Sequence, residues 1–69
     1  MSTLGQNMVK MRVDRRMKQK DLQEKSGLSQ RYLSALEHDK VDPRLSIVRR
    51  IAEALGVSVC ALIEGQPHA

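Results

Sequence analysis

Phenylalanine and tryptophan are absent from this 69-residue sequence, and Tyr32 is its only tyrosine. Any core must therefore be built from leucine, isoleucine, valine and methionine. The single cysteine, Cys60, has no partner for an internal disulfide, which excludes a disulfide-stapled secreted scaffold. It reads as a small packing residue near the chain end. No apolar run is long enough to span a bilayer, and the opening MSTLGQNMVK lacks the apolar stretch of a signal peptide. A soluble, cytoplasmic protein with no membrane partner is expected. The two histidines, His38 and His68, stand thirty positions apart with no second cysteine, so no metal-ligand spacing is present. There is no glycine-rich phosphate loop and no recognisable Ser/His/Asp order. Neither enzymatic activity nor a cofactor or metal is expected.

The chain has the length of one small domain. A chain of about 60 residues buries only roughly 60% of its unfolded surface, so the core must be economical or shared with a partner. The net charge is +4 and unevenly placed. Residues 1–20 hold Lys10, Arg12, Arg15, Arg16, Lys18 and Lys20 against Asp14 alone, a local excess of +5. Residues 21–40 sum to −1 and residues 41–69 to zero. A basic end on a small domain favours a polyanion, with nucleic acid ahead of an anionic membrane surface.

Helical periodicity runs through the chain, and no segment alternates with the period of two that marks an exposed strand. Leu4, Met8 and Met11 recur at four and three, which predicts a first helix over about residues 3–15. KQKDLQEKS predicts a second, short helix around Leu22 that ends at Gly27, a left-handed stop. Ser29 is a ready N-cap for a third helix in which Leu33 and Leu36 share one face. HDKVDP is a loop, because Asp39 and Asp42 suit turns and Pro43 pushes Asp42 out of helical geometry. In RLSIVRRIAEAL, Leu45, Val48, Ala52 and Leu55 line one side with Ile51 beside them, predicting a fourth helix stopped by Gly56. Ser58 caps a last turn or two before Gly65 and Pro67. Five short helices around one small core are expected, with residues 1–64 as the domain and residues 65–69 as a flexible tail.

Two short helices joined by a tight glycine turn form a helix-turn-helix, whose second helix can enter the DNA major groove. Here the surrounding residues are also in place. Gln19 and Leu22 lie in helix two and Gly27 in the turn. Leu28, Leu33, Leu36 and Glu37 follow, then Pro43, IAEALGVSV and a final ALI. This combination resembles the Xre/Cro-type helix-turn-helix family, which includes phage repressors and the controller proteins of restriction–modification systems. The resemblance covers residues 4–64 and implies an all-α, five-helix lambda-repressor-like fold and a homodimeric, sequence-specific regulator of transcription that binds double-stranded DNA. The alternative is a protein-interaction module on the same fold, antitoxin-like or adaptor-like.

The third helix has side chains suited to reading bases. Gln pairs in bidentate fashion with adenine, Arg with guanine and Ser with several bases. On a helical wheel, Arg31, Ser34, Ala35 and His38 face away from Leu33 and Leu36, with Gln30 at the flank. The resemblance places base contacts at Ser29, Gln30, Arg31, Ser34 and Ala35, where Ala35 offers only apolar contact to a thymine methyl, or room. It places phosphate contacts at Gln19, with Lys18 beside it, and at Tyr32. Lys40 and Arg44 lie in the loop where the same backbone would pass. It also implies a partly buried ion pair between Arg12 and Glu37.

Four positions depart from the family pattern. Arg16 and Asp39 stand where glycine is usual, so a left-handed conformation would be mildly strained, less so at Asp39. Lys18 replaces the usual Ser or Thr N-cap and cannot accept a hydrogen bond. Gln23 replaces an alanine that lets helices two and three approach closely.

In the last helix, Val59, Ala61, Leu62 and Ile63 point in nearly every direction, and a helix apolar all round must be covered on more than one side. Ile63 is expected to pack inward against Leu55 and Val57, leaving Val59, Ala61 and Leu62 to a second copy, where the family dimerises. A two-fold dimer there implies recognition helices about 34 Å apart and a palindromic site. So short a chain leaves no room for a separate ligand-binding domain, so no small-molecule ligand is expected.

Overall fold

The structure, a computed structural model, describes residues 3–65. Five helices follow in order: α1 (Leu4–Asp14), α2 (Gln19–Ser26), α3 (Gln30–Glu37), α4 (Leu45–Leu55) and α5 (Val59–Glu64). No strand occurs among the described residues. Of the expected tail, residues 66–69 lie outside the described range, while Gly65 is the left-handed cap of α5.

Local chemistry sets the helix starts. The Thr3 hydroxyl accepts from the Gln6 N–H, and the Gln6 side chain accepts from the Thr3 N–H, a complete capping box. Ser29 and Ser58 accept from the N–H groups of Tyr32 and Ala61. Lys18 precedes α2 with no acceptor to offer, since an ammonium has no lone pair. Asp21 provides half a box instead, accepting from the Lys18 N–H at 2.9 Å.

The helix ends divide into two kinds. Gly27 and Gly56 take the left-handed conformation at no steric cost. Arg16 (φ 54°) and Asp39 (φ 56°) take it without being glycine. At both, a wide turn closes in the same way, from the Met17 N–H to the Arg12 carbonyl and from the Lys40 N–H to the Ala35 carbonyl, each 2.9 Å. Asp39 is fastened there: its carboxylate accepts from the Thr3 hydroxyl and, at 3.0 Å, from the Gly5 N–H. Gly5 permits this approach. A Cβ at that position would lie 2.5 Å from the Leu36 carbonyl oxygen and 2.7 Å from that of Glu37.

Every helix contributes to one core, through Met8, Leu22, Leu33, Leu36, Ile51 and Leu62. The contacts form a closed ring, in which α1 touches α3 and α5, α2 touches α3 and α4, and α4 touches α5. Helices this short are marginal in isolation, so the shared core holds them.

Three expectations need correction. Leu45 is 56% exposed, and Ile47, further round α4, packs against the core. Cys60 is exposed rather than packed. The last helix sits the other way round: Ala61 and Leu62 are buried within the protomer, and Ile63 is 57% exposed. The cause is Asn7, a buried side chain of α1 whose Nδ2 donates to the carbonyls of Leu62 at 2.8 Å and Ile63 at 3.1 Å. That tether turns Leu62 inward, so Ala61 and Leu62 cannot form the surface that meets a second copy.

The two non-glycine left-handed residues should respond oppositely to the same change. Arg16→Gly removes a steric cost of about 1 kcal/mol and raises the melting temperature by several degrees. Asp39→Gly relieves the same strain but strips the bonds to Thr3 and Gly5, and the melting temperature falls, since a charge-assisted hydrogen bond contributes about 1.5–3 kcal/mol. Calorimetry of both variants checks this, and a matching rise in both would remove the structural role of the Asp39 carboxylate.

Candidate nucleic-acid interface

Helices α2 and α3 meet across Gly27, with Leu28 buried just after the turn. Leu33 and Leu36 fix the inner side of α3 to the core. Its other side is left to solvent: Gln30, Arg31 and His38 are exposed, and Ser34 and Ala35 are half-buried. Gln19, from the start of α2, and Lys40, just past α3, complete a shallow concavity of about 520 Å³ along this face. With eight residues, α3 is about 12 Å long, a size that the major groove of B-DNA admits.

The structure gathers Gln19, Gln30, Arg31, Ser34, Ala35 and Lys40 around that concavity. It does not bring in the other residues singled out from the sequence. Ser29 is exposed, but its hydroxyl is engaged as the N-cap of α3. Tyr32 is half-buried, with its ring packed against the core. Lys18 and Arg44 stand at the N-caps of α2 and α4, exposed and outside the lining.

Beneath the concavity lies the expected ion pair, in a larger network. Arg12 Nε donates to Glu37 Oε2 at 2.9 Å, and Arg12 Nη2 to Oε1 at 3.4 Å. Arg12 Nη1 donates to the Met17 carbonyl at 3.0 Å. Glu37 Oε1 also accepts from Gln19 Nε2 at 3.2 Å. The side chains of Arg12 and Glu37 are only 17% and 6% exposed, so the pair is largely removed from water. One hydrogen of the Gln19 amide is thereby committed to the protein, which fixes the side chain's direction before any ligand arrives.

Two residues were missed in the sequence. Asn7 lies within the Leu4, Met8, Met11 stripe, and a polar residue at that spacing signals a buried hydrogen bond. His38 lines the concavity four residues beyond Ser34. Its outward direction was legible, but no role followed from it.

The sequence model of the helix-turn-helix family matches residues 9–62. The chain belongs to the Xre-like helix-turn-helix family. It is 39% identical over 61 residues to the immunity repressor protein of Bacillus phage phi105, covering 88% of this chain and 42% of that protein. The chain thus spans less than half the length of that relative. It is 35% identical over 60 residues to an uncharacterized helix-turn-helix transcriptional regulator, y4dJ, of Sinorhizobium fredii, covering 87% of this chain and 78% of that one. Among solved structures, the clp gene regulator ClgR of C. glutamicum matches with a TM-score of 0.85 at 29% identity, covering 90% of this chain and 80% of that chain. A hypothetical transcription factor, NHTF, from Neisseria matches with a TM-score of 0.82 at 35% identity, covering 87% and 69%. The family is one of transcription regulators rather than enzymes.

In this helix-turn-helix protein the departures from pattern leave the two-helix unit intact. Gln23 is half-buried, and α2 and α3 remain in contact. Glu37→Ala would strand the Arg12 charge and free the Gln19 amide. Removing one partner of a buried pair costs about 3–5 kcal/mol, and the low end applies here because Arg12 keeps the Met17 carbonyl. Urea unfolding should register this loss, with the preferred DNA sequence, if one is selected in parallel, unchanged. An unshifted unfolding midpoint would take the pair out of the fold's support.

Proposed function

We propose that this protein is a DNA-binding regulator of transcription that inserts α3 into the major groove and reads a palindromic operator as a homodimer. The observation that carries this reading is the two-sidedness of α3: Leu33 and Leu36 are locked into the core, and Arg31, Gln30, Ser34 and Ala35 are turned together into one open concavity. Arg31 pairs with the O6 and N7 of guanine, Gln30 with the N6 and N7 of adenine, Ser34 with either, and Ala35 meets a thymine methyl. Ser29 stands at the groove-facing end of the helix. Tyr32 on one edge of α3, and Lys18, Gln19, Lys40 and Arg44 outside it, are donors to phosphate, fixing register without reading sequence. The relatives named as a repressor and a transcriptional regulator support the same reading.

The dimer is assigned to the outward side of α5, through Ile63 with half-buried Val59 beside it. No residue of α5 lines the concavity on α3, so a two-fold contact through Ile63 leaves both recognition helices open. The protomer is 30 Å in its longest direction, a size compatible with half-sites about 34 Å apart.

Selection of bound duplexes from random sequence tests the whole reading. A palindromic consensus is expected. Failure of any sequence to outcompete bulk DNA, or a stoichiometric protein partner covering α3, would replace it with the interaction-module alternative. Within a selected site, Arg31→Ala should cost about 1–3 kcal/mol on the preferred base and relax preference at that position. Lys40→Ala should weaken all DNA alike and flatten the salt slope by about one. Equal losses for Arg31→Ala on specific and bulk DNA would make Arg31 a phosphate contact. Ile63→Glu should keep the fold, shift light scattering toward monomer and lose binding to the full palindrome while keeping a half-site. A dimer that survives this change would move the interface elsewhere.

A further inference from the structure

His38 is the C-cap of α3 and lines the same concavity as Arg31, Ser34 and Lys40. Its ring nitrogen Nδ1 lies 2.8 Å from the Ser34 carbonyl oxygen. A carbonyl only accepts, so Nδ1 carries a hydrogen in either charge state, and Nε2 is the nitrogen that gains or loses a proton. The ring is exposed, and the bond to Ser34 fixes its direction along the α3 surface.

The charged surroundings are one-sided. Arg31 of the same helix and Lys40 of the following loop share the concavity, and α2 contributes the neutral Gln19. The carboxylates on either side of His38 in sequence are already engaged by other partners. Glu37 is bound to Arg12 and Gln19, and Asp39 to Thr3 and Gly5. A positive His38 ring therefore shares its concavity with cations in the free protein, and a phosphate would supply a counter-charge. The position favours phosphate over a base edge, because the N-terminal residues of a recognition helix are those that approach the bases.

We propose that Nε2 of His38 contacts a phosphate of bound duplex DNA and takes up one proton from solvent as the complex forms. This rests on the DNA-binding reading above and adds to it a protonation step. The charged ring donates a hydrogen bond that the neutral ring, an acceptor at Nε2, cannot give to a phosphate. Binding is then tighter below the range where imidazole changes charge, and this gain is lost as pH rises through it.

The test is titration of a fluorescent duplex of random sequence with the full chain at about pH 5.5 and about pH 8, the two ends of that range, across a salt series. Wild type should bind about tenfold more tightly at the lower pH, with a salt slope steeper by about one, as expected of one added phosphate contact. In His38→Gln both differences should vanish, with circular dichroism confirming that the fold is kept. His68, outside the described residues, serves as the control, and His68→Gln should behave as wild type. Binding whose pH and salt responses are the same in wild type and His38→Gln overturns the His38 contact while leaving DNA binding standing. Binding to no duplex at either pH overturns the DNA reading and this contact with it.

Discussion

The Arg12 guanidinium is the junction on which the α2–α3 surface depends. From one side chain of α1 it reaches the Met17 carbonyl, in the turn between α1 and α2, and the carboxylate of Glu37, at the end of α3. Through Glu37 it also reaches the amide of Gln19, at the start of α2. Four pieces of chain are thus registered to one planar cation. A guanidinium suits this work because its donors form a rigid fork, whereas an ammonium on a flexible stem fixes no directions. The pair is largely dehydrated, so its contribution is conformational definition as much as stability: other arrangements of α2 and α3 would leave a charge buried and unmatched.

α3 shows how a short helix can serve two masters. Eight residues leave room for about two turns, too few to hold helical form unaided. The inner turn positions are given to Leu33 and Leu36 and the outer ones to hydrogen-bonding or small side chains. Ser29 secures one end and the Asp39 carboxylate, reaching back to Thr3 and Gly5, secures the other. The exposed side chains of Gln30 and Arg31 can vary with little effect on the fold because the core and caps do not draw on them.

The helices and the caps at Gly27, Ser29, Gly56 and Ser58 were legible because each depends on chemistry within a few residues. Ser29, Gly27, Gly56 and Ser58 declare themselves through side-chain oxygen or missing Cβ, and the structure places all four as read. The strain at Arg16 and Asp39 was also readable, since both stand at positions needing positive φ. The compensation at Asp39 was not, because Thr3 and Gly5 are more than thirty residues away in sequence. The same limit explains α5. A six-residue helix with apolar groups all round gives no internal sign of which side turns inward, and a long-range bond from Asn7 makes the choice. Among the candidate site residues, the outward side of α3 was reachable from helical geometry and Gln19 from the family resemblance, whereas the Gln19–Glu37 bond needed the packed arrangement of three helices.

The bond from Asn7 to the carbonyl of Leu62 spans 55 residues, and it joins the first helix to the last. A chain emerging from its N-terminus can form the Gly27 turn early, since that contact is local. The ring of helices closes only when α5 packs against α1 and α4, and Asn7 Nδ2 then donates to the carbonyls of Leu62 and Ile63. Loop closure over such a span is entropically costly and is repaid only on completion. A chain cut before α5 would therefore contain the whole helix-turn-helix sequence, and the Arg12 network with it, but not the closed ring of helices around the core.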